Sequence, residues 1–252
     1  MQGMDSSRKR LDQLLTETGH ARSRSQARDM ILRKCVSVDG KVITKPSQSV
    51  DAKAALEISD PAKNYVSRAA LKLIAGLDAA GISVTGRVAV DLGASTGGFT
   101  QVLLERGAQH VYGVEVGSGQ MARSLSDAPA VTLLENTNAR DLTLADLGGQ
   151  EPDIIVSDLS FISLRLAAEP SLLMARRDDA HAVLLVKPQF EVGRDGIGKG
   201  GIVSDAALVE ATNRDIISWF NSLPGWQVSD FLPSPIKGGD GNSEFLLCGR
   251  RS

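Results

Sequence analysis

Four charged residues stand at points of the chain where the predicted elements could bring them to one site. Asp158 and Lys187 each end a short apolar run typical of a buried strand. Lys72 lies on a stretch with helical spacing, and Glu244 opens the last apolar run. A hydroxyl is a poor nucleophile, and a desolvated lysine between carboxylates can take its proton as a general base. These residues therefore favour transfer chemistry at a hydroxyl, with Lys187 nearest the reaction.

Each of these residues taken alone also has a structural explanation. Lys72 could be a helix lysine whose ammonium reaches water, and Lys187 could form a salt bridge at the end of a strand. A glycine-rich segment, residues 196–201, follows Lys187 and Pro188. Its four glycines allow it to close over a bound nucleotide as a lid. The presence of four such charged residues in one framework favours the functional explanation.

A glycine-rich turn follows the strand predicted over Val88–Asp91, in the sequence DLGASTGGFT. Its spacing is neither that of a dinucleotide-binding turn nor that of a Walker phosphate loop. Asp91 would direct a carboxylate at the ligand, which suits a cation better than a pyrophosphate. Glu115, which ends the next predicted strand, can accept hydrogen bonds from ribose hydroxyls. S-adenosylmethionine has an amino group, a sulfonium and no phosphate, so it is the expected cofactor, and the alternative is a purely structural turn.

The cofactor site is expected at the carboxyl ends of the strands, where open α/β sheets bind ligands. Asn138, Ala139 and Arg140 follow the third predicted strand and would flank an adenine, although Asn138 could equally be a plain helix cap. The predicted cofactor-binding residues are Asp91, Gly93, Ser95, Thr96, Gly97, Gly98, Phe99, Glu115, Asn138, Ala139, Arg140 and Asp158.

The elements that must position these residues alternate between strands and helices. Strands are predicted at Val88–Asp91, Val111–Glu115, Val131–Leu134, Asp153–Asp158 and Ala182–Lys187, and a terminal antiparallel pair at Trp226–Phe231 and Glu244–Cys248. Helices are predicted at Arg68–Ala79, with Leu71, Ile74 and Ala75 on one face, and at Phe99–Arg106 and Ala206–Phe220. This alternation predicts an α/β fold with a mostly parallel sheet.

The front of the chain has a different organisation. Leu11, Leu14 and Leu15 predict a short helix, a capping box from Ser23 to Gln26 starts a second one, and Asp39-Gly40 predicts a hairpin turn. Residues 1–59 are therefore expected to form a small α+β domain, residues 60–65 a linker, and residues 66–252 the larger domain.

Charge separates the same two regions. Residues 1–60 carry 11 Lys and Arg against 8 Asp and Glu, whereas the remainder carries 17 against 22. Such a split suggests a polyanion-binding arm on a catalytic body, and the alternative is an ordinary solvated surface. The expected RNA-binding residues are Arg8, Arg10, Arg22, Arg24, Arg28, Lys34 and Lys41.

Composition excludes several classes of protein. With 252 residues, 42% hydrophobic and 23% charged, the chain is neither collagen-like, nor a coiled coil, nor wholly disordered. No apolar stretch is long enough for a membrane span or a secretory signal, so no membrane partner is expected. Two cysteines and three widely separated histidines predict neither disulfides nor a metal site. A cytoplasmic protein is expected, and its oligomeric state stays open.

The motifs, taken in order, resemble one family. YVSRAALKL, DLGASTGGFT, DLSFISL, LLVKPQFEVGR, IGKGGIV and GNSEFLL are similar to those of the TlyA family, ribosomal RNA 2′-O-ribose methyltransferases of the FtsJ/RrmJ-like class. The front segment, from RLDQLLTETGH to VSVDGK, resembles the RNA-binding domain first described in ribosomal protein S4. The resemblance implies a Rossmann-like class I methyltransferase sheet.

The resemblance also implies roles. Lys72, Asp158, Lys187 and Glu244 correspond to a tetrad in which the Lys187 position activates the hydroxyl. The implied substrate is a cytidine in ribosomal RNA, within the large subunit and in some members also the small one. Two departures stand out: Glu115 replaces the more common Asp, and Lys34-Cys35 occupies a turn where the family usually has Gly.

Two other functions compete with methyl transfer. One is a catalytically weak RNA-docking protein with a methyltransferase fold, and the other is a cytolysin, as an older haemolysin label of the family suggests. The filled tetrad disfavours the first, and the lack of an export signal or an amphipathic pore segment disfavours the second.

Overall fold

The structure is a computed structural model that describes residues 8–239 and 241–252. It divides into two compact units, of which the first ends at Lys63 and the second runs from Asn64 to Ser252. Each unit packs an apolar core of its own.

The first unit is built from short elements. They are β1 (Arg8–Arg10), α1 (Leu11–Glu17), α2 (Arg24–Leu32), β2 (Val36–Val38), β3 (Lys41–Val42), β4 (Ser49–Asp51) and β5 (Leu56–Ile58). The leucines that predict α1 are all buried, and β2 and β3 form the hairpin predicted around Asp39-Gly40. β1 pairs with β4 and β2 pairs with β5, both antiparallel, and these pairings between distant segments were not predicted.

The end of the first unit is more ordered than a linker. Asp60 is buried and accepts hydrogen bonds of 2.7 and 2.8 Å from the guanidinium of Arg33. Burial acts to raise the pKa of Asp60, but the bonds from Arg33 and from the Ala62 amide outweigh it and hold the pKa low. Asp60 therefore belongs to the first unit rather than to the predicted linker.

The structure shows the outcome of two predictions, one for the start of α2 and one for the turn after it. The Ser23 hydroxyl accepts a hydrogen bond from the Gln26 amide, but the Gln26 side chain accepts one from the Arg22 amide instead of from Ser23. Only half of the predicted capping box therefore forms. After α2, Lys34 takes a left-handed conformation with φ of 64°, the geometry that a glycine adopts without strain.

The second unit is a sheet with helices on both faces. Its elements are α3 (Ala70–Ala79), β6 (Val88–Leu92), α4 (Gly98–Glu105), β7 (His110–Val114), α5 (Arg123–Ser126), β8 (Val131–Leu134), β9 (Ile154–Ser157), α6 (Leu164–Met174), β10 (Ala180–Val186), α7 (Pro188–Glu191), α8 (Ala206–Ser222), β11 (Trp226–Pro233) and β12 (Phe245–Arg251). The strand order is β11-β12-β10-β9-β6-β7-β8, with β12 antiparallel to both neighbours and the other pairs parallel. The predicted α/β class is confirmed.

The prediction for the helix before the sheet was partly wrong. α3 begins at Ala70 rather than Arg68, and its most buried apolar face is formed by Ala70, Leu73 and Leu77 rather than by the predicted residues. The reason is a close approach to the sheet at Gly76, where an added Cβ would lie 2.5 Å from the Val183 side chain. α6 was not predicted, and it carries Pro170 within its length.

The topology gathers charged residues at one edge of the sheet. Asp158 and Lys187 directly follow the parallel strands β9 and β10. Because β12 runs antiparallel to β10 with Phe245 opposite Val186, Glu244 lies at the beginning of β12 on that same edge. In the part of the chain that the structure describes, no helix combines the length and apolar character needed to cross a membrane.

Candidate active site

The four predicted catalytic residues lie together. Lys187 Nζ is 2.6 Å from Asp158 Oδ1, and Lys72 Nζ is 3.3 Å from Asp158 Oδ2. Lys72 Nζ also lies 2.7 Å from Glu244 Oε2, as an ion pair rather than an aligned hydrogen bond. The cluster alternates two cations with two anions, so its formal charge is balanced.

Burial makes this cluster chemically distinct from a surface ion pair. Lys72, Lys187 and Glu244 are 6%, 8% and 5% exposed. Burial acts to raise the pKa of Asp158, but the ammonium groups of Lys72 and Lys187 outweigh it and hold that pKa below its ordinary value. Asp158 therefore remains an anion shared by two ammonium groups.

Local elements fix the direction of the Lys187 side chain. Lys187 precedes α7, and Pro188 occupies the first helical position, where its missing N–H costs nothing. Lys187 Nζ donates a 2.8 Å hydrogen bond to Ser160 Oγ and lies 5.9 Å from the centre of the Phe190 ring. Sequence reasoning missed Ser160, although it stands two residues after Asp158 at the same sheet edge.

A cavity of about 930 Å³ opens beside this cluster within the second unit. Its walls include all four charged residues and most of the predicted cofactor-binding residues. The predicted residues on its lining are Lys72, Gly93, Ser95, Thr96, Gly98, Phe99, Glu115, Asn138, Ala139, Arg140, Asp158, Lys187 and Glu244. The volume is in the range of small-molecule sites, and the ammonium groups of the cluster face it.

The glycine turn packs closely against the segment after β9 and lines the cavity. Gly93 has φ of 80°, and an added Cβ would lie 3.0 Å from the carbonyl oxygen of Asp158. Gly97 serves a different purpose, because an added Cβ there would lie 2.5 Å from Leu125, in a small apolar cluster. Gly97 is absent from the cavity lining, and its predicted contact with the cofactor stays a prediction.

Asp91 lies inside the fold rather than on the cavity lining. Its Oδ2 accepts a 2.7 Å hydrogen bond from the Thr100 hydroxyl, while Oδ1 has no hydrogen-bond partner among the described residues. Burial raises the pKa of Asp91 to about 7, and the negative charges of Asp158 and Glu115 add to this effect. An unpaired buried carboxylate oxygen at a strand end is suited to a cationic ligand.

Glu115 is held in place by the turn. Its Oε2 accepts a 3.0 Å hydrogen bond from the Ser95 amide, and its Oε1 accepts bonds of 2.9 Å from the Gly117 amide and 3.3 Å from Gln120 Nε2. Gln120 also lines the cavity, and nothing in the sequence alone distinguished it.

Asn138 has the cap geometry that was its alternative explanation. Its Oδ1 accepts a 3.1 Å hydrogen bond from the Arg140 amide. Asn138 is thereby the N-cap of the short 3₁₀ turn Ala139–Asp141. The capped turn lies on the cavity wall, so the structural and binding explanations are compatible.

Comparison with known proteins now identifies the relatives. The model of the FtsJ-like methyltransferase family matches residues 65–251, and that of the S4 domain matches residues 9–56. A 16S/23S rRNA (cytidine-2′-O)-methyltransferase TlyA from Mycobacterium tuberculosis is 45% identical over 95% of this chain and 89% of its own length. The chain belongs to the TlyA family.

Further relatives of this TlyA-family protein carry a different name. Hemolysin A of Brachyspira hyodysenteriae is 38% identical over 94% of this chain and 98% of its own length. A solved structure of a haemolysin-named protein from Streptococcus thermophilus has a TM-score of 0.72 and 34% identity, over 98% of this chain and 90% of that one. The S4 and FtsJ-like matches make this protein a methyltransferase with an RNA-binding domain, and the predicted resemblance is confirmed.

The basic residues of the S4 domain of this TlyA-family protein are on the surface. All those predicted to bind RNA are exposed, namely Arg8, Arg10, Arg22, Arg24, Arg28, Lys34 and Lys41. Arg10 and Arg24 share the buried carboxylate of Asp12, with nearest distances of 2.8 and 3.4 Å. The hydrogen bonds from Arg10 hold the pKa of Asp12 down at about 2. A charged Asp12 therefore anchors both guanidinium groups.

Proposed function

We propose that the protein transfers a methyl group from S-adenosylmethionine to the ribose 2′-hydroxyl of a cytidine in ribosomal RNA, acting on ribosomal subunits in the cytoplasm. The observation that carries the proposal is the buried Lys72–Asp158–Lys187–Glu244 cluster facing the cavity beside the glycine turn. The M. tuberculosis relative is named for the same reaction on 16S and 23S rRNA.

The residues around the glycine turn fit S-adenosylmethionine. Gly93 places backbone without a side chain on the cavity wall, and Glu115 offers carboxylate oxygens there. Asp91, predicted to bind the cofactor, is buried off that wall with Oδ1 unpaired. When bound, this cofactor supplies a methyl group activated by a positively charged sulfur. Glu115 would hold its ribose, and the capped turn at Asn138 would flank its adenine.

Lys187 is the group that we assign to the hydroxyl proton. Asp158 Oδ1 and Ser160 Oγ hold its Nζ at the sheet edge. In its neutral form, Nζ takes the 2′-hydroxyl proton as the new bond forms at that oxygen. Asp158, held as an anion beside the Lys72 ammonium, then stabilises the cation that Lys187 becomes.

Lys72 and Glu244 complete the charge balance around Asp158. Lys72 bridges the Asp158 and Glu244 carboxylates, so its own charge stays compensated while the proton moves at Lys187. The exposed basic residues of the S4 domain supply the phosphate contacts that a folded RNA requires.

A reconstituted reaction tests the proposal. Purified protein, S-adenosylmethionine carrying a labelled methyl group, and ribosomal subunits from a strain lacking the enzyme are combined, and modified nucleotides are mapped by mass spectrometry. We expect label in a 2′-O-methylcytidine with wild-type protein and labelling slower by roughly 10²- to 10⁴-fold with Lys187→Ala. Label on a base, label in another ribonucleoside, or transfer at a near-normal rate in Lys187→Ala would overturn the assignment. Red-cell lysis by purified protein without any transfer would support the competing cytolysin.

A further inference from the structure

Glu191 is a half-buried carboxylate whose bonds do not involve the charged cluster. It ends α7, four residues after Lys187. Its Oε1 accepts a 2.6 Å hydrogen bond from the Leu164 amide, and its Oε2 accepts a 2.8 Å bond from the Ser163 hydroxyl. Burial raises the pKa of Glu191, a cost that a merely solvated carboxylate would avoid.

These bonds make Glu191 the cap of a helix to which it does not belong. Ser163 is the N-cap residue of α6, yet its own side chain caps no amide of that helix. Glu191 supplies an acceptor for the first amide of α6 and places a carboxylate at the positive end of the helix. The α7 helix and the start of α6 are thereby held together.

The segment between β9 and α6 carries groups that meet Lys187. This segment, residues 158–163, contains Asp158 and Ser160, which both contact Lys187 Nζ. It also contains Phe161, which has a strained φ of 66° and contacts the Phe190 ring at a tilt of 53°, with 5.3 Å between ring centres. A segment under backbone strain needs fixed points at both ends.

The two ends of this segment are fixed in different ways. β9 fixes Asp158 from one side through its place in the sheet. Glu191 fixes the other side at Ser163 and Leu164, and it does so from the same short helix that Lys187 precedes.

We infer that Glu191 is a positioning residue, which fixes segment 158–163 against α7 so that Asp158 and Ser160 hold Lys187 Nζ in its working place. The inference rests on the proposed function for its effect on rate. It predicts a loss in the methyl-transfer step without a loss in S-adenosylmethionine binding.

The test compares two helix caps of the same chemistry. Glu191→Ala removes the acceptor from α6, whereas Asp205→Ala removes the carboxylate that caps α8 by accepting bonds from the Ala207 and Leu208 amides. Asp205 is absent from the cavity lining. Both variants should melt earlier, but only Glu191→Ala should slow single-turnover methylation per folded molecule, by roughly 10- to 100-fold, as small misplacements of reacting groups do.

Two further variants keep the test decisive. Glu191→Gln can still accept the Leu164 bond and can donate to Ser163, so its rate should recover to near wild type. Ser163→Ala removes only one of the two bonds and should give an intermediate rate, even if Glu191→Ala does not fold. Equal rates in the Glu191→Ala and Asp205→Ala variants, or an unchanged KM and kcat in Ser163→Ala, would overturn the positioning role.

Hydrogen–deuterium exchange separates this inference from the proposed function. Exchange in segment 158–163 should rise in Glu191→Ala and remain unchanged in Asp205→Ala. If wild-type protein methylates no subunit, the proposed function fails, and the exchange result still decides whether Glu191 holds the segment. Unchanged exchange in Glu191→Ala would refute the positioning role whatever the activity.

Discussion

Asp158 Oδ1 lies 2.6 Å from Lys187 Nζ while its Oδ2 lies 3.3 Å from Lys72 Nζ, so one carboxylate joins both lysines. Both ammonium groups are nearly buried, and a buried charge without a partner is strongly destabilising. Loss of Asp158 would therefore affect both lysines at once. The cluster has to be understood as one unit rather than as separate ion pairs.

Lys187→Ala should abolish most methyl transfer and leave cofactor binding intact. A well-placed acid–base group contributes roughly 10²- to 10⁴-fold in rate, and we expect a loss of that order in single-turnover methylation. S-adenosylmethionine affinity, measured by calorimetry, should not change, because Lys187 is not among the predicted cofactor contacts. Arg214→Ala removes an exposed cation of α8 and serves as the control. Near-normal turnover per folded Lys187→Ala molecule would remove Lys187 from the mechanism.

Because of Asp91, the free energy of unfolding should fall as pH rises towards neutrality. Its native pKa of about 7 lies above the ordinary aspartate value, so the folded protein holds a proton that the unfolded chain has lost. The stabilisation from Asp91 is fully present below the pKa that Asp91 has in the unfolded chain. It is lost as pH rises through the pKa that Asp91 has in the folded protein. The melting temperature of Asp91→Asn should accordingly depend less on pH than that of wild type, between roughly pH 4 and 7. Parallel melting curves for the two proteins would contradict the raised pKa.

Glu115 should govern cofactor affinity. Losing a hydrogen bond to a charged group costs about 1.5–3 kcal/mol, so Glu115→Ala should weaken S-adenosylmethionine binding by roughly 10- to 150-fold. Glu135→Ala is the matched control, since Glu135 also accepts a backbone bond, from Gly119, but does not line the cavity. If Glu115→Ala and Glu135→Ala weakened S-adenosylmethionine binding equally in calorimetry, Glu115 would act only by holding backbone in place and not by contacting the cofactor.

Substitutions in the S4 domain should change the affinity for RNA without changing the affinity for S-adenosylmethionine. Neutralising Arg24 and Arg28 to Gln should weaken subunit binding and reduce the slope of log affinity against log salt by about 1.4–1.8, as expected for two lost phosphate contacts. S-adenosylmethionine affinity should be unchanged in this double variant. The Asp12 carboxylate anchors Arg24, whereas Arg28 has no such carboxylate partner among residues 8–239 and 241–252, so the single variants should show the larger effect at Arg24. An unaltered salt slope would show that these arginines do not contact phosphate.

The strand-end residues were predictable from sequence because apolar runs mark buried strands and parallel strands expose their carboxyl ends at one edge. Asp158, Lys187 and Glu115 lie where that logic placed them. Glu244 depended on the pairing of β12 with β10, which the terminal antiparallel pair only suggested.

The features that were mispredicted or missed have one physical cause, which is that they depend on contacts between segments far apart in the sequence. The packing of Gly97 against Leu125 was not predicted, because this contact is made across the fold. The face of α3 was wrong because apolar residues occur all round the helix, and only the contact at Gly76 selects the buried side. Glu191 and Asn242 were missed because their partners, Leu164 and Val203, lie 27 and 39 residues away in sequence.

Asn242 ties the glycine-rich segment 196–201 to the strand end that carries Glu244. It is 3% exposed, its Oδ1 accepts a 3.0 Å hydrogen bond from the Val203 amide, and its Nδ2 donates a 2.9 Å bond to the Gly201 carbonyl. Each such bond contributes about 1 kcal/mol, so Asn242→Ala should free the segment and lower stability by about 2 kcal/mol.

The functional effect of Asn242→Ala should appear with RNA rather than with the cofactor. If the segment closes over the bound nucleotide, the KM for ribosomal subunits should rise several-fold, and amide exchange in residues 198–203 should accelerate. Affinity for S-adenosylmethionine should stay as in wild type, since none of its predicted contacts lies in residues 196–203 or at Asn242. Asn221→Ala is the matched control, because Asn221 likewise accepts a backbone bond, 2.8 Å from the Val228 amide, and that bond joins α8 to β11 rather than to residues 196–203. Faster exchange in Asn242→Ala with an unchanged KM would show that the segment is held by Asn242 but takes no part in RNA binding.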